Sequence, residues 1–152
     1  MIHFLLLVSR QGKVRLSKWF SPVPSKDKHR DAKEVVSLVL HRGPKLCNVI
    51  EWRDLKLVYR RYASLFFICA VDSTDNELLV LETIHHFVEV LDKYFGNVCE
   101  LDLIFNFHKA HYIVDELLIS GELQETSKRV ILKAMQAQDQ LMNDAESMRM
   151  SQ

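Results

Sequence analysis

Glycine is scarce, with four among 152 residues. Gly12, Gly43, Gly96 and Gly121 each stand where an element is expected to end, so no Gly-x-Gly-x-x-Gly turn or phosphate-cradling loop is available. Nucleotide sites of those types are excluded. Cysteine is equally thin: Cys47, Cys69 and Cys99 are odd in number and widely spaced. That pattern leaves no Cys-x-x-Cys, zinc ribbon or disulfide framework, and buried free thiols are the expectation. The longest unbroken apolar run, Leu65 to Val71, falls far short of the roughly 20 residues that cross a bilayer. The first residues lack both a basic stretch and a long apolar stretch, so no secretory leader is expected and the protein is placed on the cytosolic side. Net charge is also absent, since twenty Lys and Arg balance twenty Asp and Glu. No overall field draws in DNA or RNA, and nucleic acid is not an expected partner.

Apolar bulk is present instead. Hydrophobic residues make up 48% of the chain, and this length suits one domain burying about two thirds of its unfolded surface. Neutrality hides a split: residues 1–76 hold 14 Lys and Arg against 7 Asp and Glu, a local +7, and residues 77–152 hold 6 against 13, a local −7. Either the first half forms a basic face or the halves pair their charges across the fold.

The chain changes character near Ser73. Ile2 to Val8 and Leu65 to Val71 are apolar at both parities, as strands covered on both faces are, so both are expected in the centre of a sheet. Lys13 to Phe20, Leu46 to Trp52 and Leu55 to Tyr62 alternate and read as half-wet strands, with Arg15 on the wet parity of the second. Gln11-Gly12 turns the first pair. Between strands two and three, Pro22, Pro24 and Ser25 open a helix with Ala32, Val35, Val36, Val39 and Leu40 at helical spacing, and Gly43-Pro44 stops it. Hairpin partners beside two central strands give an antiparallel order 2-1-5-4-3 in an α+β fold.

Beyond Thr74 the signals are helical. Thr74-x-x-Glu77 reads as a capping box before a stripe of Ile84, Phe87, Val88, Leu91, Tyr94 and Phe95 that ends at Gly96. Asn97-x-x-Glu100 reads as the cap of a second helix, with Leu103, Ile104, Phe107, Ile113, Val114, Leu117 and Leu118 reaching Gly121. A third begins at Thr126 or Ser127 and carries Val130, Ile131, Ala134, Met135, Gln138, Leu141 and Met142. One domain is expected over 1–143, with a polar, flexible, fraying tail over 144–152.

No catalytic constellation assembles. Glu82-x-x-His85 has the spacing of a di-iron helix but lacks the second such pair and the two further glutamates. His108, His111 and Asp115 share a helical face and could hold a metal, though such faces more often meet solvent or a partner. A Gly-x-Ser-x-Gly elbow is missing. Cys69 lies in an apolar run where desolvation keeps a thiol inert, and Cys99, near a helix start, has no histidine placed for it. The reading is of a non-enzyme with no cofactor.

Five stretches carry a resemblance: Phe4 to Leu16, Tyr59-Arg-Arg-Tyr-Ala63, Asp75-Asn-Glu-Leu, Asp92-Lys-Tyr-Phe-Gly-Asn97-Val-Cys-Glu-Leu-Asp102-Leu-Ile-Phe-Asn-Phe107, and Gly121-Glu-Leu-Gln-Glu-Thr-Ser-Lys128. They resemble the sigma small subunits of clathrin adaptor complexes without gaps over about residues 1–135. The resemblance implies a longin-like fold and a heterotetramer with gamma-like and beta-like large chains and a medium chain. It also implies a role in reading acidic dileucine signals in cargo tails, with clathrin and membrane engaged through the complex. The residues matching the family's leucine pocket are Ala63, Leu65, Val88, Asn97, Val98 and Leu103, and Arg15 matches the cation facing the acidic position. Trp19, the segment 45–53 and the extension past 143 look more like the trans-Golgi and endosomal type. That implies a cytoplasmic protein, peripheral on the trans-Golgi network, endosomes and coated vesicles. The departures lie in 21–30 and the last fifteen residues. A longin-like module that binds a small GTPase or a SNARE is the alternative, because fold alone does not fix function.

Overall fold

The computed structural model describes residues 1–42, 48–119, 122–123 and 128–150, and side chains outside 117–134. Strands β1 (Ile2–Ser9), β2 (Val14–Trp19), β3 (Val49–Trp52), β4 (Leu55–Tyr62) and β5 (Leu65–Asp72) form one sheet in the order β2-β1-β5-β4-β3. Every neighbouring pair is antiparallel, so the expected α+β, longin-like order holds. β1 and β5 are apolar at both parities because a helical layer covers each face. On one side α1 (Ser25–Leu40) lays Val35, Val36 and Val39 over Phe4, Leu6, Val8, Leu57, Ile68 and Ala70. On the other, α2 (Glu77–Phe95), α3 (Glu100–Phe105), α4 (Phe107–Leu117) and α5 (Lys128–Met150) enclose a core that includes Leu5, Leu7, Phe67, Cys69, Ile84, Phe87, Ile113 and Met135. β6 (Leu118–Ile119) and β7 (Glu122–Leu123) make a separate small ribbon.

Two helix starts differ from the sequence reading. α2 is capped by Asn76 rather than Thr74, because the Asn76 side chain accepts from Leu78 N–H at 2.9 Å and Leu79 N–H at 3.4 Å. Asn97 caps nothing: it follows Gly96 into left-handed backbone, at φ 69° and 66° respectively. α3 instead starts after Cys99, whose N–H donates to Asp102 Oδ2 at 2.9 Å. The single helix expected from there to Gly121 is broken. Asn106, at φ −122° and ψ 40°, still donates to the Asp102 carbonyl, while its own carbonyl accepts from Lys109 and Ala110 to open α4. The apolar spacing contains the reason. Leu103 faces the core, but Leu101, Ile104, Phe105 and Phe107 are exposed, so no one stripe serves the whole segment. Leu118, expected in helix, is in β6.

Other boundaries moved less. Strand two is shorter than Lys13–Phe20 by a residue at each end. The stop at Gly43-Pro44, the first residues of the strand expected from Leu46, Gly121 and the start at Thr126 or Ser127 lie outside the described residues. α5 is helical to Met150, and every residue from Gln140 to Met150 is exposed, so Leu141 and Met142 are not core as their spacing suggested. Of the thiols expected to be buried, Cys69 is and Cys99 is exposed. Cys47 lies outside the described residues.

The charge split resolves into pairing across the fold. Arg15 meets Glu100 at 2.7 Å, Lys18 meets Asp115 at 2.7 Å, and Lys56 meets Glu77 at 3.4 Å, each a cation of the first half against an acid of the second.

Candidate functional site

Ala63 opens the two-residue connection between β4 and β5, exposed and in left-handed backbone at φ 52°. The register places Tyr62 opposite Leu65 across that turn. Leu65, Val88, Val98 and Leu103, from β5, α2, the α2–α3 loop and α3, are all members of the large core on this face of the sheet. Asn97 stands exposed at the mouth of the same loop. Four of the six residues singled out for the leucine pocket therefore lie in the core on this face of the sheet, and Ala63 and Asn97 are exposed.

Asp92 holds this meeting point together, and sequence reading did not single it out. Its carboxylate accepts from the Tyr62 hydroxyl and, at 2.9 Å through Oδ1, from the Val98 N–H. Its backbone carbonyl accepts from Gly96 N–H at 2.8 Å and Asn97 N–H at 3.2 Å. The Tyr62 hydroxyl is correspondingly pushed above its ordinary pKa, chiefly by the hydrogen bond to Asp92. One acid thus ties the β4–β5 turn to the α2–α3 loop. No periodicity carries that signal, because the contacts skip from residue 92 to 96, 97, 98 and 62.

Arg15 is placed by a defect in pairing. Leu7 pairs with Leu16 but Val8 pairs with Val14, so Arg15 is the extra residue of a β-bulge in the edge strand. A bulge bends the strand and re-aims the side chain that has no cross-strand partner. Arg15 is therefore not the free, solvated residue of a regular alternation. It is half-buried and its Nε donates to Glu100 Oε1 at 2.7 Å, on the first residue of α3.

The apolar walls are present but covered. Leu65 is 0% exposed, Leu103 1%, Val98 3% and Val88 5%. An apolar side chain from outside reaches them only if covering residues move. Within α3, Leu103 is the buried residue and the remaining apolar side chains face outward, whereas Asn97 and Val98 before it are held by Asp92.

The residues weighed for chemistry are used otherwise. Asp115 pairs with Lys18, and the His111 ring packs on Phe107 at 4.3 Å between centroids. Burial, opposed by Asp115, keeps the His111 imidazole below its ordinary pKa. His85 pairs with Glu89 at 2.5 Å one helical turn away. Burial pushes the Cys69 thiol up to about 12, which leaves it unreactive at neutral pH. Among the described residues no helix is long and apolar enough to cross a membrane.

Comparison with known proteins bears on the family and the fold. The model of the family described as "Clathrin adaptor complex small chain" matches residues 1–142. The chain is 64% identical over 145 residues to the AP-1 complex subunit sigma-1 of Arabidopsis thaliana, covering 95% of this chain and 90% of that protein. It is 56% identical over 141 residues to the AP-1 complex subunit sigma-3 of Homo sapiens, covering 93% and 92%. In three dimensions it is similar to a chain of a homology model of the full-length AP-3 complex in a stretched open conformation. The TM-score is 0.75 at 27% identity, covering 97% of this chain and 98% of that one.

Proposed function

The chain belongs to the clathrin adaptor complex small chain family, and from that premise we propose that it reads acidic dileucine signals in the cytosolic tails of cargo as the small subunit of a heterotetrameric adaptor. The observation that carries this reading is that Leu65, Val88, Val98 and Leu103 belong to one apolar core while Asn97 and Ala63 are exposed. Two leucines from a peptide enter those apolar walls, the Asn97 amide hydrogen-bonds the extended backbone, and Arg15 faces the acid that precedes them. The role is recognition, without catalysis or cofactor.

Assembly accounts for surface that the isolated chain leaves wet. Leu101, Ile104, Phe105 and Phe107 are exposed together on α3 and α4, and Phe105 is 78% exposed. Contiguous apolar surface of this kind marks a protein interface, and gamma-like and beta-like large chains with a medium chain are the proposed partners. Clathrin and membrane are engaged through the complex. A peripheral, cytoplasmic role on the trans-Golgi network, endosomes and coated vesicles is part of the same proposal.

Photo-crosslinking tests the site directly. An acidic dileucine peptide carrying a diazirine at either leucine, irradiated with the assembled complex, is expected to label 63–65, 88 and 97–103. Labelling confined to another chain, or to α1, contradicts the assignment.

A further inference from the structure

The cation assigned to the signal's acid already holds an acid of its own. Glu100 sits on Arg15 at 2.7 Å, with both side chains 26% exposed. Glu100 is also the first residue of α3, the short helix that follows Asn97 and Val98 and carries Leu103. α3 lies between two breaks: Gly96 and Asn97 in left-handed backbone before it, and Asn106 outside helical geometry after it. Leu103 is the residue that α3 buries, so the Arg15–Glu100 pair is a principal tie between this helix and the edge strand.

We propose that Glu100 is a resident stand-in for the signal's acidic residue, and that the Arg15–Glu100 pair latches α3 over the leucine walls. The inference rests on the dileucine reading above and deepens it. An incoming carboxylate replaces Glu100 on Arg15, one charged acceptor for another. α3 is released by the same exchange, moving beyond the residues that Asp92 holds at Gly96, Asn97 and Val98, and the wall at Leu103 opens. The acid and the leucines of one signal are thereby read together, because the first frees the segment that the second must displace. A dileucine pair without an acid meets a closed site, and an acid without leucines gains nothing from opening it. The β-bulge at Arg15 fits this role, since it turns an edge-strand cation away from regular alternation and toward α3.

Glu100→Gln tests the latch. The amide keeps a hydrogen-bond acceptor for Arg15 Nε–H and removes the charge that competes with the signal. The assembled complex carrying the wild-type chain, Glu100→Gln or Val98→Ser is titrated with an acidic dileucine peptide and with the same peptide bearing Gln at the acidic position. In Glu100→Gln the preference for the acidic peptide over its Gln counterpart is expected to widen about two- to fivefold, the range of a partly screened ion pair. Without peptide, the α3 amides at 101–105 are expected to exchange hydrogen faster than in wild type. A preference that stays the same or narrows overturns the exchange at Arg15, and unchanged α3 protection overturns the latch. Val98→Ser separates the two levels of the account. If it weakens both peptides, the leucine reading stands whatever Glu100 does; if it weakens neither, that reading fails while α3 exchange still judges the latch.

Discussion

Single residues decide which groups are available. Cys69 and Cys99 differ by environment: the first is buried with its thiol pushed up to about 12, the second is exposed beside the start of α3. Iodoacetamide on the native chain, followed by mass mapping, is expected to label Cys99 and spare Cys69; labelling of Cys69 at neutral pH would show that its strand opens. Arg15 supplies charge that solvent partly screens, so Arg15→Ser is expected to weaken peptide binding by less than about fivefold. The same change flattens the salt dependence of binding measured by calorimetry, and an intact slope would move the cation to another chain. The sequence made Leu65, Val88, Val98 and Leu103 legible as apolar, and the joint role proposed for them comes from the resemblance. It did not make Glu100 or Asp92 legible, because a bulge and a loop-closing carboxylate leave no trace in period-two or helical spacing.

Elements follow from their patterns where one face is buried and depart where none is. The doubly buried β1 and β5 and the stripe of α1 are read directly, since burial enforces their apolar positions. The break at Asn106 was missed because apolar residues continue through it, although they point outward. α5 shows where such a pattern loses its grip. Met135 is buried, and Asp139 accepts from the Tyr94 hydroxyl at 2.7 Å and pairs with Lys109 at 3.1 Å, but every residue from 140 to 150 is exposed. Hydrogen exchange on the free chain is therefore expected to be fast beyond Asp139 and slower near Met135, and uniform protection to Met150 would contradict the proposed fraying tail. Burial would raise the Asp139 pKa, but Tyr94 and Lys109 outweigh it and hold the carboxyl below its ordinary value. A carboxyl depressed on folding stabilises the native state above its unfolded pKa, and that contribution is lost as pH falls through the folded one. Docking of α5 should accordingly loosen below about pH 4, read as faster exchange at 130–139, and Asp139→Asn should remove that acid-dependent step.

At the scale of the whole molecule, a sheet with two covered faces carries an uncovered helical rim. The order β2-β1-β5-β4-β3 was legible because only that arrangement gives both apolar strands two neighbours and keeps each hairpin intact. The pairing of a basic first half with an acidic second half was left open by composition, which counts charges and does not place them; Arg15–Glu100, Lys18–Asp115 and Lys56–Glu77 place them. Exposed Leu101, Ile104, Phe105 and Phe107 predict a permanent interface, above about 2,000 Å² in total. Analytical ultracentrifugation is expected to find the chain self-associating or insoluble alone and monodisperse with a large-chain partner, and a stable, monodisperse free monomer would count against obligate assembly.

The central claim is that the cluster beside α3 receives the leucines of a sorting signal. Val88 and Val98 are both buried, at 5% and 3% exposed, so a charge at either would endanger the fold itself, and the small neutral change at Val98 is the sharper test. Calorimetric titration of an acidic dileucine peptide into the assembled complex carrying Val98→Ser measures that claim. With assembly intact by size-exclusion chromatography, the loss of apolar wall is expected to weaken binding about tenfold and to leave its salt dependence unchanged. Binding as tight as wild type would mean that the leucines are received elsewhere.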